Sequence, residues 1–169
     1  YIEKTDKKPS LFINGSAIGF YGTHPEKQFT ESTNKEGSTF LSNLCEDWEN
    51  IASKANSFNV RTCYLRTGIV LGSDGGALKS MIIPFKLGLG AVLGSGTQFM
   101  SWIHIDDVVH SILFIIQNKN IDGPCNIVAP NPVTNKDFSK TLAKLLHRPC
   151  LFSIPRFVIK ILFGEMGLE

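Results

Sequence analysis

Charge of one sign is what this sequence has little of: 17 basic and 15 acidic side chains among 169 residues leave a formal net charge of +2. So even a balance argues against nucleic acid or a membrane surface as partner, since both demand a concentrated field of one sign. The small cluster Lys4, Lys7 and Lys8 reads as a solvated linker. Long hydrophobic runs are also lacking, and no stretch reaches the ~18 apolar residues of a membrane span. Cysteine is sparse: the four residues at 45, 63, 125 and 150 form no C-x-x-C or other short pair. That spacing argues against a zinc site and against a disulfide framework, and so for a reducing, cytoplasmic compartment. The opening "YIEKTDKKP" has no apolar core of the kind a signal peptide needs. A last absence is the phosphate loop: neither G-x-G-x-x-G nor G-x-x-G-x-x-G occurs.

What is present alternates between strand-like and helix-like stretches. "PSLFINGSA" (9–17) is a short apolar run ending in small residues, which suits a strand feeding a loop. "STFLSNLCEDWENIASKA" (38–55) places Phe40, Leu41, Leu44, Cys45, Trp48, Ile51, Ala52 and Ala55 at helical spacing, with Ser38 as the expected N-cap. "NVRTCYLRTGIVLG" (59–72) is β-branched and apolar, and reads as one strand buried on both faces. A helix is expected after Gly75-Gly76, disturbed by Pro84, and a short strand around "SWIHI". "GPCNIVA" (123–129) reads as a further strand. "TNKDFSKTLAKLLHR" (134–148) reads as a helix opened by Thr134 and Asp137 in capping-box spacing. In "IPRFVIKILFG" (154–164), Pro155 stands at a helix start, with Arg156 and Lys160 along one polar edge of a core-facing helix.

"SWIHIDDVVHSILFI" (101–115) crowds two histidines and two aspartates together. His104 and Asp106 would share a strand face, while Asp107 and His110 would be helical neighbours. A metal needs three or four converging ligands, and the two histidines fall in different elements, so no metal is expected. Asp106 or Asp107 instead sits where an N-cap belongs.

Alternating strands and helices predict an α/β fold with a parallel sheet. The long strands look buried on both faces, yet few others are available to flank them. The sheet looks incomplete, and the expectation is that an N-terminal half of it lies outside this sequence.

Several motifs coincide in order along the chain: "SAIGFYG" (16–22), "LCEDWE" (44–49), "RTGIVLG" (66–72), "PFKLGLGAVLGSGTQFMSWIHIDDVV" (84–109) and "NIVAPNPVTNKDFSKTLAKLLHRP" (126–149). Together they resemble the NAD-dependent epimerase/dehydratase superfamily. More narrowly they resemble its YfcH-like atypical short-chain dehydrogenase/reductases, often labelled sugar-nucleotide epimerase or SulA-type cell-division inhibitor. The resemblance implies the C-terminal part of a Rossmann-like parallel sheet: the C-terminal half of the dinucleotide-binding Rossmann domain over residues 1–72, its glycine-loop half lying outside this sequence, and a small substrate-binding lobe with the strand–helix junction over 73–122. A last sheet strand and family-specific C-terminal region would occupy 123–169.

It also implies NAD or NADP as cofactor, held mainly by residues outside this sequence, and a nucleotide-sugar or small carbonyl compound as substrate. The superfamily's Tyr-x-x-x-Lys falls on Leu41 and Cys45, neither of which can do that chemistry. Ser16 is the carried-over serine, and Tyr21 is the nearest substitute proton donor. The cofactor's nicotinamide end would lie against Ser16, Thr67, Gly68 and Leu71, and the substrate against Phe85, Trp102 and His104. Ser16 reads equally as a turn serine, Glu49 as a polar helix residue, and Arg66 as the partner of a carboxylate inside the fold. The rival function is a dinucleotide-sensing or protein-interaction module without turnover. For the isolated chain, the bare sheet edge predicts homo-oligomers.

Overall fold

The structure is a computed structural model that describes residues 2–24, 27–155 and 157–158. Its strands are β1 (Leu11–Ala17), β2 (Arg61–Thr67), β3 (Ile69–Leu71), β4 (Ala91–Leu93), β5 (Phe99–Met100), β6 (Trp102–His104), β7 (Gly123–Ile127), β8 (Val133–Thr134) and β9 (Phe152–Ile154). The helices are α1 (Phe40–Ser53), α2 (Gly76–Lys86), α3 (Ile105–Gln117) and α4 (Asn135–Leu145). Two compact units divide the chain, Tyr1–Gly68 with Asp106–Ile127, and Ile69–Ile105 with Val128–Glu169. Among the described residues no helix is long and apolar enough to cross a membrane.

The first unit is built on a parallel sheet in the order β1-β2-β7. Its register aligns Ser16, Arg66 and Asn126 in one row across the three strands, with Ala17, Thr67 and Ile127 in the next. Residues in one row of a sheet point to one face. The face carrying Ser16 is covered by α1, whose buried positions are Ser42, Cys45, Glu49 and Ala52. Against the opposite face lies α3, which with Cys125 and Ile127 lines a groove of about 450 Å³. Arg61 ties the end of α3 down, donating to the carbonyls of Ile115 at 3.1 Å, Asn118 at 3.3 Å and Ile121 at 2.5 Å. Asn59, in the left-handed conformation at φ 57°, ends the 3-10 turn after α1 and aims the chain into β2.

The second unit contains three two-stranded pairings: β3 with β6 and β4 with β9, both parallel, and β5 with β8, antiparallel. Helices α2 and α4 pack around Phe85, Leu142 and Ala143. Gly90 lets the chain pass this cluster, because a Cβ there would stand 2.4 Å from the Phe85 ring. Asn135 fastens two strands at once: its Oδ1 accepts from the Leu93 amide at 2.8 Å, and its Nδ2 donates to Met100 Sδ at 3.4 Å.

Several expectations are corrected. The stretch 59–72 is two strands, because at Gly68 the chain leaves the first sheet and Ile69 bonds to Ser101 in the second unit. Thr39, one residue beyond Ser38, caps α1 in a reciprocal capping box with Ser42. Ser38 instead exchanges hydrogen bonds with the Asn43 side chain. Helix α3 starts at Ile105, so Asp106 and Asp107 occupy its first turn and act through the helix dipole, the cap position lying before them. Pro84 lies within α2, in its last turn, and the helix runs on to Lys86. Thr134 does cap α4, accepting from the Asp137 amide at 3.1 Å. Asp137 returns the contact through its carboxylate, which takes the Thr134 hydroxyl at 2.6 Å. The helix read from 154–164, with Arg156 and Lys160, lies almost wholly outside the described residues.

Candidate functional site

Between the sheet and α1 lies a connected set of buried polar side chains, the only charged pair buried there among the described residues. Arg66 rises from the central strand and is 4% exposed. Glu49 comes down from α1, 8% exposed, and meets it in a two-point ion pair, Nε to Oε1 at 2.9 Å and Nη2 to Oε2 at 2.8 Å. Ser16, 8% exposed, donates its hydroxyl to the same Oε1 at 2.7 Å. On the other flank, Arg66 Nη1 donates to the Tyr21 hydroxyl at 2.9 Å, which in turn donates to Asn126 Oδ1 at 2.7 Å. Each of the three guanidinium nitrogens and both hydroxyls has an acceptor, and among the described residues no buried side-chain nitrogen or oxygen is left without a partner. That is the condition under which a buried ion pair is tolerated.

Aromatic rings shield the guanidinium. The Phe20 ring lies 3.5 Å from it and the Tyr21 ring 4.9 Å, while Phe29 stacks on Tyr21 at 5.2 Å. Burial alone would lower the Arg66 pKa, but its hydrogen bonds to Glu49 and Tyr21 outweigh that and raise it. The arginine is therefore a fixed cation committed to the protein interior, as a carboxylate partner in the fold required.

Ser16 and Tyr21 are thus brought together as the two ends of one network joined through Glu49 and Arg66. Thr67 stands in the next row beside Ala17 and Ile127, and the Gly68 amide donates to the Ile127 carbonyl at 3.1 Å. Ser16, Thr67 and Gly68 gather at the C-terminal ends of the parallel strands, where ligands of open α/β sheets bind. Leu71, Phe85, Trp102 and His104 belong to the second unit. There Leu71 pairs in register with His104, and Trp102 with Ile69. Phe85 is buried in the helix-packing cluster, a core position.

Leu41 packs against Gly19, whose added Cβ would touch it at 3.4 Å. Cys45 lies beneath Ser16 and Ala17; burial pushes its thiol pKa up, against the lowering pull of the Ala17 backbone and the Ser16 hydroxyl. A neutral thiol supplies no cation where a lysine would. Glu49 is the residue that sequence reasoning undervalued, reading it as a polar helix position. Its signal was spacing, since it falls in three-four register with Cys45 and Ala52 on the face that is buried. Among the described residues no group of three or more histidine, cysteine, aspartate or glutamate side chains converges as metal ligands would.

Residues 1–128 match the NAD dependent epimerase/dehydratase family. Epimerase family protein YfhF of Bacillus subtilis is 41% identical over 167 residues, covering 99% of this chain and 55% of that protein. The crystal structure of human epimerase family protein SDR39U1 (isoform 2) with NADPH superposes with a TM-score of 0.89 at 30% identity, covering 99% of this chain and 57% of that one. The nucleoside-diphosphate sugar epimerase of Corynebacterium glutamicum gives a TM-score of 0.77 at 31% identity, over 99% of this chain and 38% of the other. The chain spans about half the length of the curated relatives it matches. The match over residues 1–128, with these identities and this superposition, places the chain in the NAD-dependent epimerase/dehydratase family.

Proposed function

We propose that this chain is the substrate-side portion of an NAD(P)-dependent epimerase- or reductase-like protein of the YfcH-like branch, acting on a nucleotide-sugar or small carbonyl compound. The observation that carries the reading is the row Ser16–Arg66–Asn126, held by Glu49 and Tyr21 at the C-terminal ends of the parallel strands. NADPH in the human relative supports a dinucleotide as cofactor.

The residues here fit one end of that cofactor. Ser16, Ala17, Thr67 and Gly68 are small and present backbone to an approaching flat ring. The phosphates find no such fit, because Arg66 is committed to Glu49 and the sequence has no phosphate loop. When bound, the nicotinamide supplies hydride chemistry. Ser16 orients a ligand oxygen, Glu49 and Arg66 hold Ser16 in place, and Phe20 and Phe29 keep water from the ion pair. A reducing cytoplasmic setting is inferred from the cysteine spacing, which offers no short pair.

A second reading is favoured by Leu41 and the buried, neutral Cys45: a dinucleotide-sensing module without turnover. Titration of the isotope-labelled chain with reduced nicotinamide mononucleotide tests the shared site. Amide shifts confined to Ser16, Ala17, Thr67 and Gly68 are expected, with adenosine diphosphate leaving them unmoved. Shifts centred elsewhere would refute the site. Multiple-turnover assays with sugar nucleotides then separate enzyme from sensor.

A further inference from the structure

We propose that the groove between α3 and the sheet is a second ligand site, on the face away from Ser16, and that it takes a small amphipathic ammonium: an apolar ring or short chain carrying one positive charge.

The shape comes first. A volume of about 450 Å³ falls within the range of sites that hold small organic ligands. Asp107, His110, Ser111 and Phe114 recur at three-four spacing, so they share one side of α3 and form one wall. Cys125 and Ile127 stand two apart on β7, share a face of that strand and form the floor. The carboxylate, imidazole and hydroxyl occupy the first two turns of the helix, and the phenyl ring follows. Polar and apolar groups are thus segregated along the groove, and a ligand that matches it has one polar and one apolar end.

The sign of the polar end follows from the charges around it. Asp107 brings a full negative charge to a helix end that carries roughly half a positive one, so the carboxylate wins. No ion pair or hydrogen bond among the described residues engages that carboxylate. Arg61, at the far end of α3, is committed to the carbonyls of Ile115, Asn118 and Ile121. The Cys125 thiol at the floor, raised first by burial and then by Cys63, is raised further by Glu31 and Asp122, which act there as negative charges. Phe114 is 59% exposed, and an aromatic face attracts a cation over it. An uncharged imidazole at His110 and the Ser111 hydroxyl offer acceptors to ammonium N–H groups. An anion at the same place would meet Asp107 as a like charge. Water reaches the groove, so each of these attractions is modest, and cover of Phe114 and the floor by the ligand's apolar body supplies the rest of the affinity.

The test uses three compounds that share a phenylethyl body and differ in charge: phenethylammonium, phenethyl alcohol and hydrocinnamate. Each is titrated at about pH 8 into the isotope-labelled 169-residue chain and read at the amides of Ser111, Phe114, Cys125 and Ile127. The ammonium should bind about fivefold more tightly than the alcohol, the upper end for an exposed ion pair, and the carboxylate should bind most weakly. Asp107→Asn should bring the ammonium down to the alcohol, while Asp107→Glu, which keeps the charge, should retain the advantage. Salt at about 1 M should shrink the advantage in the unmodified chain, a measurement that needs no variant. An ammonium no tighter than the alcohol, a carboxylate that binds as tightly, or an advantage that survives Asp107→Asn overturns the inference. So does the absence of shifts at these four amides. The nicotinamide mononucleotide result stands in either case, because Ser16 faces the side of the sheet that α1 covers.

Discussion

At the scale of single residues, the decisive fact is that Arg66 and Glu49 are buried as a pair. Arg66 was legible in the sequence as the partner of an internal carboxylate, because an arginine inside an apolar strand cannot remain unpaired. Which carboxylate it takes was not legible, since that depends on α1 crossing the strand at one height. Removing one partner strands the other charge, so Glu49→Ala should cost about 3–5 kcal/mol in denaturant unfolding. The paired Glu49→Leu, Arg66→Met variant should lie far closer to wild type, since well-packed apolar replacements of buried pairs are often neutral. Equal losses in both would mean that shape, rather than charge, sets the stability here.

Cys125 gives a second residue-scale prediction. Burial, with the neighbouring Cys63 and Glu31 adding to it, raises its thiol pKa to about 11 from an ordinary 9.0. The sign follows from proton binding: the folded chain holds this proton more tightly than the unfolded chain does. The resulting contribution to stability is complete below about pH 9 and is lost as pH rises toward 11. Iodoacetamide labelling of Cys125, followed by mass spectrometry in native buffer, should accelerate steeply only above pH 10. A rate already saturated at pH 9.5 would contradict the burial described here.

At the scale of elements, strand and helix positions were readable from the helical spacing of α1, the short apolar runs of β1 and β7 and the capping-box spacing of α4, while most of their ends were not. Ser38 and Thr39 are both good capping residues side by side, and only the backbone shows that Thr39, at φ −81° and ψ 163°, is the one that caps. Thr39→Ala should therefore lower stability by about 1 kcal/mol, and Ser38→Ala by distinctly less. Reversal of that order in a thermal melt would move the helix start. The apolar stripe of α1 misled in another way. Phe40 and Ile51 belong to it and are each 65% exposed, while Ser42 and Glu49 are buried. Hydrophobic spacing finds the face that prefers cover, whereas the polar network turns the helix toward its own partners. The three bonds from Arg61 to the end of α3 had no sequence signal at all, because they join residues more than fifty positions apart.

At the scale of the whole molecule, the α/β class and the parallel sheet followed from alternation and from the resemblance, and the family match bears them out. Not legible was the interleaving of two units along the chain, since the switch at Gly68 is a change of hydrogen-bonding partner within one apolar run. The sheet of the first unit carries its own consequence. β1 is at its edge, and beside that edge Phe12, Asn14 and Gly15 meet Trp48, Ile51 and Ala52 of α1 in an open apolar groove. A regular, apolar edge is a template for strand addition by another chain, and a copy of β1 run antiparallel satisfies it with two-fold symmetry. The isolated 169-residue chain is accordingly expected to form dimers in light scattering across a dilution series. Ile51→Glu, at a position of α1 that is 65% exposed and lines this groove, should shift that equilibrium toward monomer and remove the concentration dependence of the melting temperature. A monomer that persists at high concentration and melts cooperatively would show that this edge is closed in solution.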